Sequence, residues 1–584
     1  MTLIASCNII YRMRDYTFFT KPTAKWQRRY EALRSSFVDK LPAKAVADKF
    51  GYSKGYIRLL RYLFKKEQID FLDPVAEGKV ARRRVTAEIR EKIKGLREKQ
   101  YSSYEITRLL NEEEIKISVK TVERVLKEEG YSRLPRGRRV RHGMTISGAE
   151  IPKRSEAIVL EELDGKRFDT TGAGVFLFTP FLQQLEIDKV VRYAGLPGSK
   201  VIPSINYLLS FLSFKLLGTE RFAHAQDHSF DMGLGLFAGL NVLPKCTSMS
   251  TYSYSLDEVH LLKLQKAFIR NASKLGLYIG NIINLDFHTV PHFGDESVLQ
   301  RHWAGARSRR MKGALTLFAQ DAGSKLILYT ASDILREEAN DQVLNFLSFW
   351  NNVNKDAEPM LIFDSKFTTY TKLSELNATG IKFITLRRRG KKLIDKAENV
   401  KEWKRIHIVN TKRKYPAPYI HESKIRLRGY EGELRQVIMK GNGREKPSFI
   451  ITNDFDTEVK LIVSNYGRRW RIENGIAEAV KFFNLNSLSS PILVKVHFDI
   501  IMTMIADTLY SMLAAKLRGF NNCDASKVYR NFVRGKGSVA VNGNQITVTY
   551  PKRAHNPILR AVPWGHLPNT LPWLKDAKLK FRFN

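Results

Sequence analysis

Residues 465–483 read N-Y-G-R-R-W-R-I-E-N-G-I-A-E-A-V-K-F-F. At 100° per residue on a helix, Tyr466, Arg469, Trp470, Ile472, Glu473, Ile476, Ala477, Val480 and Phe483 share one face. Arg468, Arg471, Asn474, Glu478 and Lys481 fall on the other. The pattern therefore sets Glu473 within the apolar, core-facing stripe. A carboxylate there is costly unless it is paired, protonated or bound to a cation. Arg469, one helical turn earlier, is the simplest partner. A helix that carries such a charge into a core directs attention to what stands upstream of it.

Upstream, the chain changes character at residue 279. Residues 282–290, I-I-N-L-D-F-H-T-V, form a strand bounded by Gly280 and Pro291, with Asp286 inside it. Two more strands are expected at 314–320 and 325–330, joined by the turn Asp321-Ala322-Gly323-Ser324. An amphipathic helix follows at 338–350. The apolar run Pro359-Met360-Leu361-Ile362-Phe363 then reads as a strand buried on both faces and ends in Asp364. Three strands, a helix and a fourth strand describe a mixed sheet with a crossover helix. Asp286, Asp364 and Glu473 make a sensible set for hard cations, which take oxygen ligands. Such cations activate an attacking oxygen and stabilise a leaving one in phosphoryl chemistry. Taken singly, an edge-strand aspartate, a turn cap and an internal ion pair are the plainer readings.

The chain has 584 residues, room for several domains, and 43% of them are hydrophobic, enough to bury a large core. Lys and Arg (97) outnumber Asp and Glu (59), a net charge of +38 that points to a polyanion such as nucleic acid. Cys7, Cys246 and Cys523 are widely spaced and make neither a disulfide framework nor a zinc knuckle, which fits a reducing cytoplasm. Leu3-Ile4-Ala5-Ser6-Cys7 resembles a lipoprotein cleavage box but lacks the charged and apolar segments that should precede one. The most apolar helices, near 207–218 and 500–515, are interrupted by Lys215 and Asp507 and read as core, with no membrane partner expected.

Toward the start, a helix at 25–38 precedes L-P-A-K-A-V-A-D-K-F-G-Y-S-K-G-Y-I-R-L-L-R-Y-L-F. Ala47 at a helix crossing, Gly51 for a positive-φ turn, and Ile57 and Leu60 as anchors fit a helix-turn-helix. Ser53, Lys54, Tyr56, Arg58 and Arg61 then lie on or near the exposed side, placed for a major groove. A second unit is expected at 84–130, with helices opened by Thr86, by a capping Ser near 103 and at Ser118, and stopped by Gly130. Residues 133–141 form a basic arm whose Arg136, Arg138 and Arg139 suit phosphates or a minor groove. Residues 168–270 are helical and apolar, a structural region with dimerisation as a possible role. Thr170-Thr171-Gly172-Ala173-Gly174 lacks the Lys of a phosphate loop. The tail, with Gln545-Ile546-Thr547-Val548-Thr549-Tyr550 after Asn542-Gly543-Asn544, suggests a small hairpin.

These motifs resemble the DDE transposases of bacterial insertion sequences, in the group with a Tyr-Arg-Glu-Lys signature. The first Asp stands in L-D-F-H-T-V-P-H-F-G, the second in L-I-F-D-S-K-F, and Tyr466, Arg469 and Glu473 match Y-x-x-R-x-x-x-E. The resemblance spans roughly 280–515. It implies a multidomain protein: all-α helix-turn-helix units at 1–75 and 80–145, a helical region at 146–275, and an α/β ribonuclease H-like core at 276–520. That core carries a strand-rich insertion at about 387–450, and a small region at 521–584 follows. Asp286, Asp364 and Glu473 would be catalytic and hold Mg²⁺, with Mn²⁺ able to substitute. Tyr466 and Arg469 would hold phosphate near the scissile bond. The implied activity is binding of terminal inverted repeats, metal-dependent cleavage and strand transfer to target DNA. A homodimer or larger synaptic complex, at the bacterial nucleoid in the cytoplasm, is implied with it. The family's Lys, seven residues after the Glu, is Val480 here. Lys481 stands about 80° round the helix from Glu473 and is a DNA contact only if its long side chain reaches back. That departure favours the rival reading, a domesticated or inactive DNA-binding regulator. His288 shares a strand face with Asp286. Trp403 and Trp470 are expected in the core, with base stacking as the alternative.

Overall fold

The computed structural model describes residues 25–69, 85–99, 101–131, 154–220, 222–293, 299–305, 308–332, 334–354, 358–367, 369–408, 416–487 and 492–584. The chain divides into two units, Met1–Glu150 and Ile151–Asn584.

The first unit is helical. Helices α1 (Lys25–Phe37), α2 (Ala43–Phe50) and α3 (Lys54–Lys65) enclose Ala32, Leu33, Val46, Ala47, Phe50, Ile57 and Leu60. The α2–α3 turn works through local chemistry. Gly51 takes φ 67°, a left-handed conformation that glycine adopts without a Cβ penalty, and the Ser53 hydroxyl accepts the Tyr56 N–H to start α3. Helices α4 (Ala87–Glu98), α5 (Ser103–Glu112) and α6 (Val119–Glu128) surround Ile93, Ile106, Leu110, Val122, Val125 and Leu126. Thr86, Ser102 and Ser118 cap them, with Ser102 and Glu105 forming a reciprocal capping box.

The second unit is built on two sheets. The larger begins with β2 (Ile282–Pro291), β3 (Arg301–Ala304), β4 (Arg309–Asp321) and β5 (Ile327–Ala331). Helix α10 (Gln342–Val353) crosses to β6 (Met360–Ile362), and helix α11 (Tyr370–Ala378) leads to β7 (Phe383–Leu386). Strand β4 runs antiparallel to β2 and β5, whereas β6 and β7 run parallel to β2, in the order β5-β4-β2-β6-β7. Asp286 thus sits on an interior strand between β4 and β6, not on an edge. Leu361, Ile362 and Phe363 are fully buried, as an apolar strand covered on both faces requires. The strand-rich stretch expected at about 387–450 lengthens this sheet. Strands β8 (Lys404–Arg405), β9 (Tyr419–Ile425), β10 (Leu434–Lys440) and β11 (Ser448–Thr452) add outward from β7. Pairing β11 with the free edge of β7 satisfies backbone groups that a separate domain would have to satisfy by itself.

The smaller sheet takes strands from distant parts of the chain. Strand β1 (Arg167–Thr170) pairs with β12 (Gly537–Asn542), followed by β13 (Gln545–Tyr550), β15 (Ala577–Phe583) and β14 (Thr570–Leu571). The described part of 146–275 and residues 521–584, distinct by composition, therefore share a sheet and one hydrophobic core. The stretch after β1 is glycine-rich for packing: a Cβ on Gly174 would stand 1.9 Å from the Val533 carbonyl oxygen.

Of the helices in this unit, α7 (Ile187–Ala194) and α9 (Glu258–Lys274) pack together, and α8 (Ser204–Leu216) lies against the helix at Leu493–Lys516. The latter, preceded by α12 (Val459–Arg468) and α13 (Trp470–Lys481), becomes α14. It is long and apolar enough to cross a membrane, yet most of it is buried against β5 and α8. Its charges are handled internally. Asp499 pairs with Lys215 of α8, both almost fully buried, and the Lys215 ammonium also donates to the Phe483 carbonyl at 3.1 Å. Burial, with Glu478 and Asp524 nearby, pushes the Asp507 carboxyl up to about 7. Lys215→Met should cost about 3–5 kcal/mol by stranding Asp499, and adding Asp499→Leu should recover most of it. Urea unfolding of the single and double variants checks this.

Candidate active site

Arg469 is the hub of the site. Residues 465–483 do not form one helix. The Arg469 N–H bonds three residues back to the Tyr466 carbonyl, and this tightened turn separates α12 from α13. The buried stripe of α13 is Ile472, Ile476 and Ala479. Glu473 lies at its rim rather than its centre, with 43% of its side chain exposed. Trp470, expected in the core, is 64% exposed. Summing a wide arc of helix angles merged the true core stripe with its flank, and these two residues belong to the flank. Trp403 is half-buried, its Nε1 donating to the Val400 carbonyl and its ring lying under the Lys440 ammonium at 3.8 Å.

Helix α13 packs over β2 and β4, which brings Glu473 and Arg469 above Asp286. The guanidinium donates to Glu473 Oε1 at 2.7 Å and stands 3.5 Å from Asp286 Oδ2. Its carbon is 6.0 Å from the Tyr466 ring centre. Asp364 follows β6 in the loop, where its Oδ1 accepts the Ser365 N–H at 2.7 Å. Burial pulls the Arg469 guanidinium down, but Tyr466, Asp286, Glu473 and Asp364 together hold it above its ordinary value. Burial also pushes Tyr466 up to about 12. The surroundings of Asp286 perturb it strongly. Burial drives its carboxyl up to about 6, Arg469 pulls it back, and Glu473 and Asp364 push it further up.

Two polar residues of β2 flank Asp286 on its own face, His288 as expected and Asn284 unforeseen. His288, two residues along the same strand face, donates from Nε2 to Asn486 Oδ1 at 2.8 Å, and burial lowers its pKa. In the other direction Asn284 faces Gln320 across the β2–β4 ladder. Among the described residues, Asn284 Oδ1 and Nδ2 and Gln320 Oε1 are buried without a protein partner. Each such atom costs roughly 1–3 kcal/mol, so this polar cluster beside Asp286 is poor for stability and suited to a site. Period-two alternation from Asp286 could have placed Asn284 on this face, whereas its partner Gln320 follows only from the β2–β4 register.

Among the described residues no three Asp, Glu, His or Cys side chains stand close enough to form a ready-made cation site. Arg469 stands between Asp286 and Glu473 instead. The donor set nonetheless fits a hard cation: every ligand offered is a carboxylate oxygen, two of them contact the guanidinium and Asp364 adds its charge to the same centre.

Of the other residues singled out by sequence, Lys481 is exposed at the end of α13. In the first unit Lys54 and Arg58 are exposed and Tyr56 is half-buried against the Tyr52 ring at 5.0 Å. Arg61 lies over the Phe37 ring at 5.4 Å, and the Ser53 hydroxyl is taken by the helix cap. Arg136, Arg138 and Arg139 lie outside the described residues.

Residues 339–509 match the family model described as the transposase DDE domain. The match takes in Asp364 and Glu473 and begins after Asp286. No curated protein matches the chain. Among solved structures, a piggyBac transposase synaptic complex with hairpin DNA is similar at 12% identity and a TM-score of 0.36. That similarity covers 63% of this chain and 82% of the other.

Proposed function

We propose, from the match of residues 339–509 to a transposase DDE domain, that this protein is a DNA transposase. Its catalytic core is ribonuclease H-like, and it cuts the ends of an insertion sequence and joins them to target DNA. The observation that carries the proposal is the gathering of acids from an interior strand, the loop after β6 and helix α13 around one arginine. The strand order β5-β4-β2-β6-β7, with an antiparallel half and a parallel half, supports the ribonuclease H-like reading.

Asp286, Asp364 and Glu473 are the residues that would hold divalent cations, Mg²⁺ or Mn²⁺. When bound, such cations lower the pKa of an attacking water or 3′-hydroxyl and neutralise charge on the leaving oxygen. The chain's own residues do the rest. Arg469, held in place by Tyr466 and the acids, turns from Glu473 toward a phosphate and supplies a bidentate charge. Asp286 gives up its proton as DNA and cations arrive. In cleavage a water oxygen bonds to phosphorus and the 3′-oxygen leaves. In joining, that 3′-hydroxyl bonds to a target phosphorus and the target's own 3′-oxygen leaves. The first unit, with Lys54 and Arg58 exposed, would recognise the terminal inverted repeats. The assembly would be a homodimer or larger complex in the bacterial cytoplasm.

The test is a labelled DNA carrying the ends that flank the gene, incubated with purified protein and Mg²⁺ or Mn²⁺. Metal-dependent 3′-end nicking and strand transfer, lost in Glu473→Gln, is the expected result. Tight, specific binding with no cutting in either metal would replace this reading with that of a DNA-binding regulator.

A further inference from the structure

Strands β3 and β4 continue past the end of β2 as a hairpin, and one of its faces is unusual. Register pairs Arg301 with Lys312 and Trp303 with Arg310. Directly paired residues share a face, so these four side chains lie together. His302, Ala304 and Met311, on the opposite face, are buried. Trp303 is 60% exposed, and Arg301 and Arg310 beside it are exposed as well. Among the described residues no acid pairs with Arg301, Arg309 or Arg310. A large exposed aromatic among arginines that no described acid neutralises gains nothing for the fold.

The same ladder ties this face to the candidate active site. Asp286 is opposite Phe318 on β4, and alternation from Phe318 passes through Thr316 and Ala314 to Lys312 and Arg310. Asp286 and the Trp303 cluster therefore belong to one face of the sheet, covered by α13 near Asp286. Six and eight residues separate Phe318 from Lys312 and Arg310, about 20–26 Å along a strand at roughly 3.3 Å per residue. That span corresponds to about six to eight steps of a DNA strand at roughly 3.4 Å each.

We infer that the β3–β4 hairpin is a second DNA contact, in which Trp303 stacks on an unpaired base while Arg301 and Arg310 hold the adjoining phosphates. The inference rests on the proposed reading of the site as one that takes DNA. Base stacking on an aromatic tolerates any sequence, and flanking cations track the backbone. The hairpin thereby positions a strand whose scissile phosphate lies at Asp286. Trp303 is a positioning residue, since it stands far from the reacting atoms.

The test uses the full chain in EDTA and two fluorescein-labelled DNAs carrying the flanking ends. One stops about four base pairs beyond the cleavage position, and the other continues for ten with bases six to eight left unpaired. Wild type should bind the longer DNA at least tenfold more tightly by anisotropy. Trp303→Ala should lose most of that gain, Trp303→Phe should keep most of it, and Arg310→Gln should lower the salt slope by about one. Equal affinity for the two DNAs, or a Trp303→Ala variant indistinguishable from wild type, would overturn the inference. Binding in EDTA is read separately from cleavage. Metal-dependent cutting with no effect at Trp303 sinks the hairpin alone. A Trp303-dependent gain without any cutting sinks the transposase reading and leaves the hairpin.

Discussion

Replacing Asp364 by Ala should lower cleavage and strand transfer by at least about 10³-fold while DNA affinity stays within a few-fold of wild type. The expected size follows from what the site must neutralise. On the proposed function, charge would build on the phosphoryl oxygens and on the leaving 3′-oxygen, and removing one carboxylate would leave the cations that meet this charge poorly held. The separation of activity from binding follows from location. Asp364 sits in the loop after β6, and its hydrogen bonds are to Ser365 beside it. Losing those local bonds costs about 1 kcal/mol, too little to unfold the core. Exposed lysines and arginines, not Asp364, carry the affinity for DNA. Single-turnover cleavage with saturating protein, alongside a binding isotherm, separates the two. Cutting by Asp364→Ala at the wild-type rate would remove Asp364 from the mechanism.

The second large effect is on stability, and it has opposite signs at two neighbouring residues. In the folded protein the Asp286 carboxyl titrates near 6 instead of its ordinary 3.8. Between those values the unfolded chain loses a proton that the folded chain keeps, so stability falls as pH rises from about 4 to about 6. Above that window the penalty is complete, at most about 3 kcal/mol for a shift of roughly two units. Asp286→Asn should therefore raise the melting temperature of the metal-free protein by a few degrees at pH 7.5 and leave it unchanged at pH 4. Arg469→Ala should do the reverse, since it removes the cation that offsets the burial of Asp286. Added Mg²⁺ should stabilise wild type by mass action and leave Asp286→Asn largely unaffected. An Asp286→Asn protein less stable than wild type at pH 7.5 would make Asp286 an ordinary structural ion pair. The same proton links to function: cation binding should strengthen as pH rises through about 6, because the carboxyl must ionise to bind.

Much of the site can be read from local pattern. The strand around Asp286, the apolar run before Asp364 and the i, i+4 pairing of Arg469 with Glu473 are short-range features. Alternation, hydrophobic runs and helix angle act over a few residues and need no knowledge of the fold. The helix caps at Thr86 and Ser118 and the turn at Gly51 are legible for the same reason. Local pattern misjudged the depth of Glu473 and Trp470, because a helix angle says which residues share a side and not how far the neighbouring sheet extends over them. It was silent on Asn284 and Gln320, whose pairing depends on the β2–β4 register.

Composition and motif order alone determined that the chain is basic, multidomain and built around three separated acids. The tertiary structure decided which charge those acids meet, and it decided that the acid-bearing strand is interior. It also decided that strands β8 to β11 lengthen the central sheet, and that residues 167–170 join a hairpin from the far end of the chain. All of these are long-range pairings. They are settled by which exposed edges and apolar faces can be covered at once, a condition that no single window of sequence contains.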